Sequence, residues 1–176
     1  MQIFNQKLTS SYDDNILLMD RLLRVDKSFD LIRRPMRVGN TRMVMYYIDG
    51  FTQTASMQKL MMHLLTVKDF GDGSSEAAKR FAETSMPTVE VDVTDSVDTL
   101  ILMTMSGCSV LLCEGFGPNA IVIDLRTYPA REASEPENDR VMRGSRDGFV
   151  ETLIFNTGMI RRRIRKVNLS SVLLVS

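Results

Sequence analysis

Hydrophobic and polar positions change period several times along the chain, and each change predicts an element. Ile16, Leu17, Met19, Leu22 and Leu23 recur at helical spacing behind Asp13 and Asp14, whose charges suit a helix N-terminus. With Ser10 or Ser11 as the cap, this predicts an amphipathic helix through Arg24, an arm that must lie on something. From Ser28 to Val38 the pattern is extended, Gly39 and Asn40 supply a turn, and "TRMVMYYID" from Thr41 to Asp49 is rich in β-formers, so a hairpin is predicted. After Gly50, "TQTASMQKLMMHLLTV" places Met57, Leu60, Met61, Leu64 and Leu65 on one helical face.

"FGDGSS", residues 70–75, reads as a loop in which Ser74 or Ser75 caps a short helix through Thr84. Pro87 opens a strand from Thr88 to Val93. Thr94, Asp95 or Ser96 caps the helix "VDTLILMTMS", which Gly107 ends. "CSVLLCEG" and "NAIVIDLR" flank "FGPN". Both runs are too continuously apolar for strands with one solvated face, so they belong to the middle of a sheet covered on both sides. A last helix is predicted from Arg146 to Arg163, with Phe149, Leu153, Ile154 and Ile160 facing inward. Helices alternate with strands throughout, so the class is α/β, with a mixed sheet flanked by helices. Three segments are expected: a helical arm at 1–26, an α/β lobe at 27–166 and, at 167–176, the start of a second lobe or a tail.

Composition narrows this picture only modestly. At 176 residues, 44% apolar and 25% charged, the chain can build one domain with its own core. The first eleven residues lack the basic start and apolar run of about 7 to 15 residues of a secretory signal. No apolar stretch approaches the roughly 20 residues that cross a bilayer, so the chain by itself is expected to be soluble and cytosolic. Cys108 and Cys113, spaced CxxxxC in an apolar run, match neither a metal motif nor a disulfide framework and are expected as buried thiols.

Candidate chemistry is sparse. His63, the single histidine, sits in "KLMMHLL" and is expected to flank the core with a satisfied ring nitrogen. "GFGPNA", residues 115–120, lacks the third glycine of a phosphate loop and lies between strands, so a hairpin turn is expected. Asp69 and Asp72, with Gly71 and Gly73, have no following acidic residue at the position a calcium loop needs. No nucleophile beside a base, carboxylate pair or metal cluster emerges, so neither an enzyme nor a cofactor is expected.

Charge is where the chain departs from the ordinary. Its net charge is zero, yet residues 140–166 carry eight basic and two acidic side chains, +6, and residues 132–139 hold Glu132, Glu135, Glu137 and Asp139, −4. Arg161, Arg162, Arg163, Arg165 and Lys166 put five cations in six residues. This run could serve as a solvated helix end favoured by the helix dipole, as a patch for anionic lipid headgroups, or as a module for an anionic small molecule or nucleic acid. Against nucleic acid stand the lack of interleaved aromatic residues and the neighbouring acidic stretch.

The segment from Arg131 to Leu169 resembles the signature of the GerA-type spore germination proteins, the family that includes the germinant receptor A subunits. The matching positions are Arg131, Glu135 and Pro136, then Arg143, Gly144, Arg146, Asp147, Gly148, Phe149 and Glu151, then Asn156, and finally Arg161, Arg162, Arg163 and Ile164. "MYYIDGF" and "LLCEGFGPNAIVIDLR" fall where the family has its hairpins, so the resemblance spans roughly residues 27 to 169. It implies the first of two α/β lobes on the cytosolic face of the spore inner membrane, with no enzymatic activity. Such a lobe would couple germinant sensing to release of ions or small molecules, with other spore germination membrane proteins as partners and self-association left open. On this resemblance Arg143 and Arg146 would pair with Glu135, Glu137 or Glu151, Asn156 would satisfy backbone, and the arginine run would mark the hinge to a second lobe. The chain stops at Ser176, about where that lobe would begin.

Overall fold

Successive residues of the second strand of the hairpin serve two different cores, and the rest of the architecture follows from that. The computed structural model describes residues 5–87, 90–126, 153–164 and 169–172. Its elements are α1 (Tyr12–Leu23), β1 (Leu31–Val38), β2 (Thr41–Ile48), α2 (Thr54–Leu64), α3 (Ala77–Ser85), β3 (Val91–Thr94), α4 (Val97–Met105), β4 (Ser109–Cys113), β5 (Ala120–Ile123) and α5 (Leu153–Ile164). Val44, Tyr46 and Ile48 of β2 point to the side covered by α1 and α4, with Val110, Leu112, Ala120 and Val122. Met43 and Met45 point to the side covered by α2 and α3, with Leu111, Cys113, Ile121 and Ile123. Side chains alternate across a pleated strand, so two apolar faces produce the unbroken apolar runs seen in β4 and β5, where every residue is buried. Each large side chain buried in this way contributes about 1.5–3 kcal/mol relative to exposure.

The five strands lie in the order β1-β2-β4-β5-β3. The α/β class with helices on both faces of a sheet stands. Its described pairings, however, are all antiparallel, where alternating helices and strands suggested a mixed sheet. The reason is a split crossover. β3 and β4 run in the same direction and are joined by α4, but β5 returns from β4 and inserts between them, so no two parallel strands become neighbours.

Local signals set most element ends. The Ser11 side chain accepts the Asp14 N–H, and Arg24 closes α1 in the left-handed conformation. The predicted arm does find something to lie on, because Met19 and Leu23 are buried in the first core. The Ser96 hydroxyl accepts from Thr99 and starts α4. Capping of α3 differs from expectation: Glu76 holds the cap position without a side-chain bond. Ser74 is occupied instead by Asp72 and Arg80, and the Ser75 carbonyl accepts from Asn119. Of the strand predicted from Thr88 to Val93, residues 88 and 89 lie outside the described residues, and β3 is Val91–Thr94. Leu65, expected on the inner face of α2, is 64% exposed, because the helix ends at Leu64 and the chain turns away.

Candidate functional site

The described part of the basic helix does not sit as its apolar residues suggest. Leu153, Ile154 and Ile160 were expected inside, yet they are 48%, 36% and 36% exposed, and Ile164 is exposed as well. Among the described side chains of the helix, the buried positions are Gly158 and Arg161, the latter 3% exposed. Positions 154, 158 and 161 share one helical face, and 153, 160 and 164 share another. An arginine therefore occupies the place the periodicity assigns to an aliphatic residue.

What compensates Arg161 is Asp30, the residue before β1. Its carboxylate, 1% exposed, takes Nε–H through Oδ2 and Nη2–H through Oδ1, the latter at 2.6 Å. Nη2 also donates to Ser28 Oγ at 2.8 Å, and Nη1 donates to the Leu169 carbonyl at 3.1 Å. The chain beyond the helix is tied to the same point. Ser171 N–H donates to Ser28 Oγ at 3.0 Å, its hydroxyl lies 3.4 Å from Asp30 Oδ2, and its carbonyl accepts the Phe29 N–H at 2.9 Å. A planar guanidinium and a carboxylate suit this fork geometry, and Ser28 and Leu169 supply further acceptors. Removing either charged partner would leave a buried, uncompensated charge, at a cost of about 3–5 kcal/mol.

A second contact lies further up the helix. A Cβ at Gly50 would fall 2.7 Å from Ile154 Cγ2 and 3.1 Å from the Ile154 carbonyl, so glycine at φ +85° is what lets the hairpin end approach α5. Residues 154 and 161 are about 10 Å apart along a helix. Both anchors belong to the open end of the β1/β2 hairpin, where Leu31 pairs with Ile48 and the Asp49 N–H donates to the Asp30 carbonyl at 2.8 Å.

Other candidates resolve into structural roles. His63 Nε2 meets the Ser85 carbonyl at 2.5 Å, tying α2 to the end of α3, far in sequence from the partners of Arg161. The "GFGPNA" segment is the β4/β5 connection, and the Gly115 carbonyl accepts the Gly73 N–H. Asp69 and Asp72 accept N–H groups of their own loop, from Gly71 and Ser74. Both cysteines are free and buried. A groove of about 720 Å³ between α1 and β1 is lined by Tyr12, Ile16, Arg33, Pro35, Arg37 and Arg42, among others. Arg33 and Arg42 are already paired there with Asp20, Asp13 and Glu114. Among the described residues no cluster of three metal-ligating side chains occurs, and no helix is long and apolar enough to cross a membrane.

Of the predicted signature, Arg161 is the residue the structure places at a built site. Arg163 is exposed and Asn156 half-buried. Glu135, Pro136, Arg143, Gly144, Arg146, Gly148, Phe149 and Glu151 lie outside the described residues, as does the Arg162 side chain. Ser28, Asp30 and Ser171 were not anticipated. The available signal was the lone carboxylate of Asp30 between Phe29 and Leu31 at a strand entrance, where a charge must be either exposed or paired.

Fold and site together define a three-layer α/β lobe whose C-terminal helix is clasped at its last turn. The chain belongs to the GerA family: the family model described as Bacillus/Clostridium GerA spore germination protein matches residues 20–174. Stage V sporulation protein AF of Bacillus subtilis is 33% identical over 138 residues, 78% of this chain and 28% of that protein. Spore germination protein KA of the same organism is 28% identical over 148 residues, covering 82% of this chain and 27% of that one. The chain thus spans little more than a quarter of the length of these relatives. In fold it resembles the crystal structure of the N-terminal domain of the A subunit of the Bacillus megaterium spore germinant receptor GerK3. The TM-score is 0.62 at 19% identity, covering 97% of this chain and 60% of that one.

Proposed function

We propose that this chain is a non-enzymatic signalling and assembly domain of a spore germination protein, and that α5 is the element through which the lobe communicates with its neighbours. The observation that carries this reading is the division of α5 between its two faces. One face is fixed to the hairpin end by Arg161 and Ile154, while Leu153, Ile160 and Ile164 expose an apolar stripe at helix-packing spacing. A helix held on one side and unburied on the other is suited to pass a displacement from a partner into the sheet.

On this reading the lobe at 27–166 works at the cytosolic face of the spore inner membrane, with other spore germination membrane proteins and anionic headgroups as neighbours. It links germinant sensing to release of ions or small molecules, and the signature from Glu135 to Arg163 sets how the chain leaves the lobe. The family match and the relatives named for spore germination support this assignment. An anionic-ligand module is less favoured, because Arg161 is withdrawn from solvent by Asp30.

The test is retrieval from sporulating cells. A tagged chain, cross-linked and purified from spore membranes, should bring down germination membrane proteins. Ile160→Glu with Ile164→Glu, on the exposed face, should lose them while keeping the wild-type melting temperature. Equal retrieval by both chains, or none by either, refutes the reading.

A further inference from the structure

Three segments remote in sequence meet at one buried point: residues 28–30 entering β1, Arg161 in the last turn of α5, and residues 169–171 beyond the helix. No α5 side chain that the structure describes belongs to either hydrophobic core of the sheet. Two contacts that do tie the helix to the hairpin end are Ile154 at Gly50 and the polar cluster around Arg161. We propose that this cluster is a release latch: Asp30, Arg161, Ser28 and Ser171 open as one unit, freeing the last turn of α5 and residues 169–171 together while the sheet stays folded.

The physics favours an all-or-none event. An apolar contact can slide, losing a few atom contacts at a time. A buried guanidinium and carboxylate cannot separate by small steps, because each half-open state leaves a charge without partner or water. Ser28 Oγ accepts from both Arg161 and Ser171, and Asp30 Oδ2 accepts from both as well, so loss of the ion pair disturbs both shared acceptors and leaves residue 171 on its bonds to Ser28 Oγ and the Phe29 N–H alone. Opening must admit water to the whole cluster, and the three segments then separate together. A buried pair of this kind often adds little stability over an apolar packing of equal volume, so its use as a two-state fastening is the more economical account of its presence. Chain leaving residue 172, or a partner on the stripe of Leu153, Ile160 and Ile164, would act on the latch by moving α5.

The latch deepens the coupling reading above and rests on it only for its biological use. Its test is native-state hydrogen exchange of the full chain at increasing, sub-denaturing urea. The Phe29 and Ser171 amides, whose acceptors are the Ser171 carbonyl and Ser28 Oγ, report the cluster; Met45 and Leu111, paired between β2 and β4, report the sheet. In the wild type, Phe29 and Ser171 should share one protection factor, well below that of Met45 and Leu111. Asp30→Asn should raise exchange at both reporters about a hundredfold or more and leave Met45 and Leu111 within about threefold. Leu65→Ala, at an exposed position just past α2, should change neither pair.

The latch is overturned if Phe29 and Ser171 exchange through different openings, if they open only with the sheet, or if Asp30→Asn accelerates all four amides equally. Should Asp30→Asn fail to fold, the wild-type urea series decides alone. Partner retrieval is a separate measurement: a latch refuted here with retrieval intact leaves the coupling reading standing, and the reverse leaves a latch without that use.

Discussion

Glu114 holds Arg42 twice. Oε2 accepts the Arg42 backbone N–H at 2.8 Å, and Oε1 accepts its Nε–H, also at 2.8 Å. The same guanidinium reaches Asp13 of α1 at 2.9 Å, so one side chain joins β2, the β4/β5 connection and the first helix.

The hydrogen bond from Arg42 holds the Glu114 carboxyl below its usual range. A lowered folded-state value means that this stabilisation is fully present above the ordinary glutamate pKa of about 4.3 and is lost as pH falls through the lowered value. Glu114→Gln should lower the melting temperature at neutral pH and flatten the acid limb of the melting curve against pH, so that the two proteins converge only once the pH has fallen below the lowered Glu114 value. The effect should be modest, since both side chains are a third or more exposed and water screens them. Parallel acid limbs in the two proteins would contradict it.

Neighbours Leu64 and Leu65 make a matched pair for the second core. Leu64 is 1% exposed and Leu65 64%. Leu64→Ala should cost about 2–5 kcal/mol in urea unfolding, and Leu65→Ala no more than about 0.5 kcal/mol. Similar losses at both positions would place the end of α2 differently.

Gly71 and Gly73 share a loop, and both have positive φ, +104° and +78°. A Cβ at Gly71 would meet the Gly115 carbonyl at 2.6 Å and Ala77 Cβ at 2.8 Å, whereas one at Gly73 meets nothing within 4 Å. Gly73→Ala should cost about 1–2 kcal/mol for the left-handed backbone alone. Gly71→Ala should cost about 1–3 kcal/mol more, because backbone must move. Urea midpoints of the two variants measure the difference directly.

Burial raises the Cys108 thiol and pushes that of Cys113 up to about 12. Since thiolate is the reactive form, iodoacetamide at pH 8 should leave both unmodified in the folded protein and alkylate both in urea. Mass spectrometry that finds either cysteine labelled before unfolding would refute their placement.

Much of the fold was legible because its signals are local. A hydroxyl at Ser11 or Ser96 satisfies an amide three residues on, Gly39 and Asn40 turn a chain between strands that pair residue for residue, and the apolar runs of β4 and β5 declare burial on both faces. Sheet order was not legible: inserting β5 between β3 and β4 changes no residue's period, so the split crossover and the mixed sheet it displaced look alike in sequence. Apolar periodicity also placed Leu153, Ile154 and Ile160 on the inner face of α5, where the structure leaves them exposed. Periodicity sorts residues by polarity, and it sends an arginine outward unless a partner is known to wait inside.

By itself, then, the sequence determined which segments become helices and strands, that the sheet is covered on both sides, and the likeness to the GerA family, because caps, turns, apolar periods and short motifs are written within a few residues of one another. Tertiary structure alone decided which strands are neighbours, that Leu153, Ile160 and Ile164 stay exposed, and that Arg161 is buried. Burying a guanidinium depends on a carboxylate 131 positions away, and only the folded chain brings Asp30 to it.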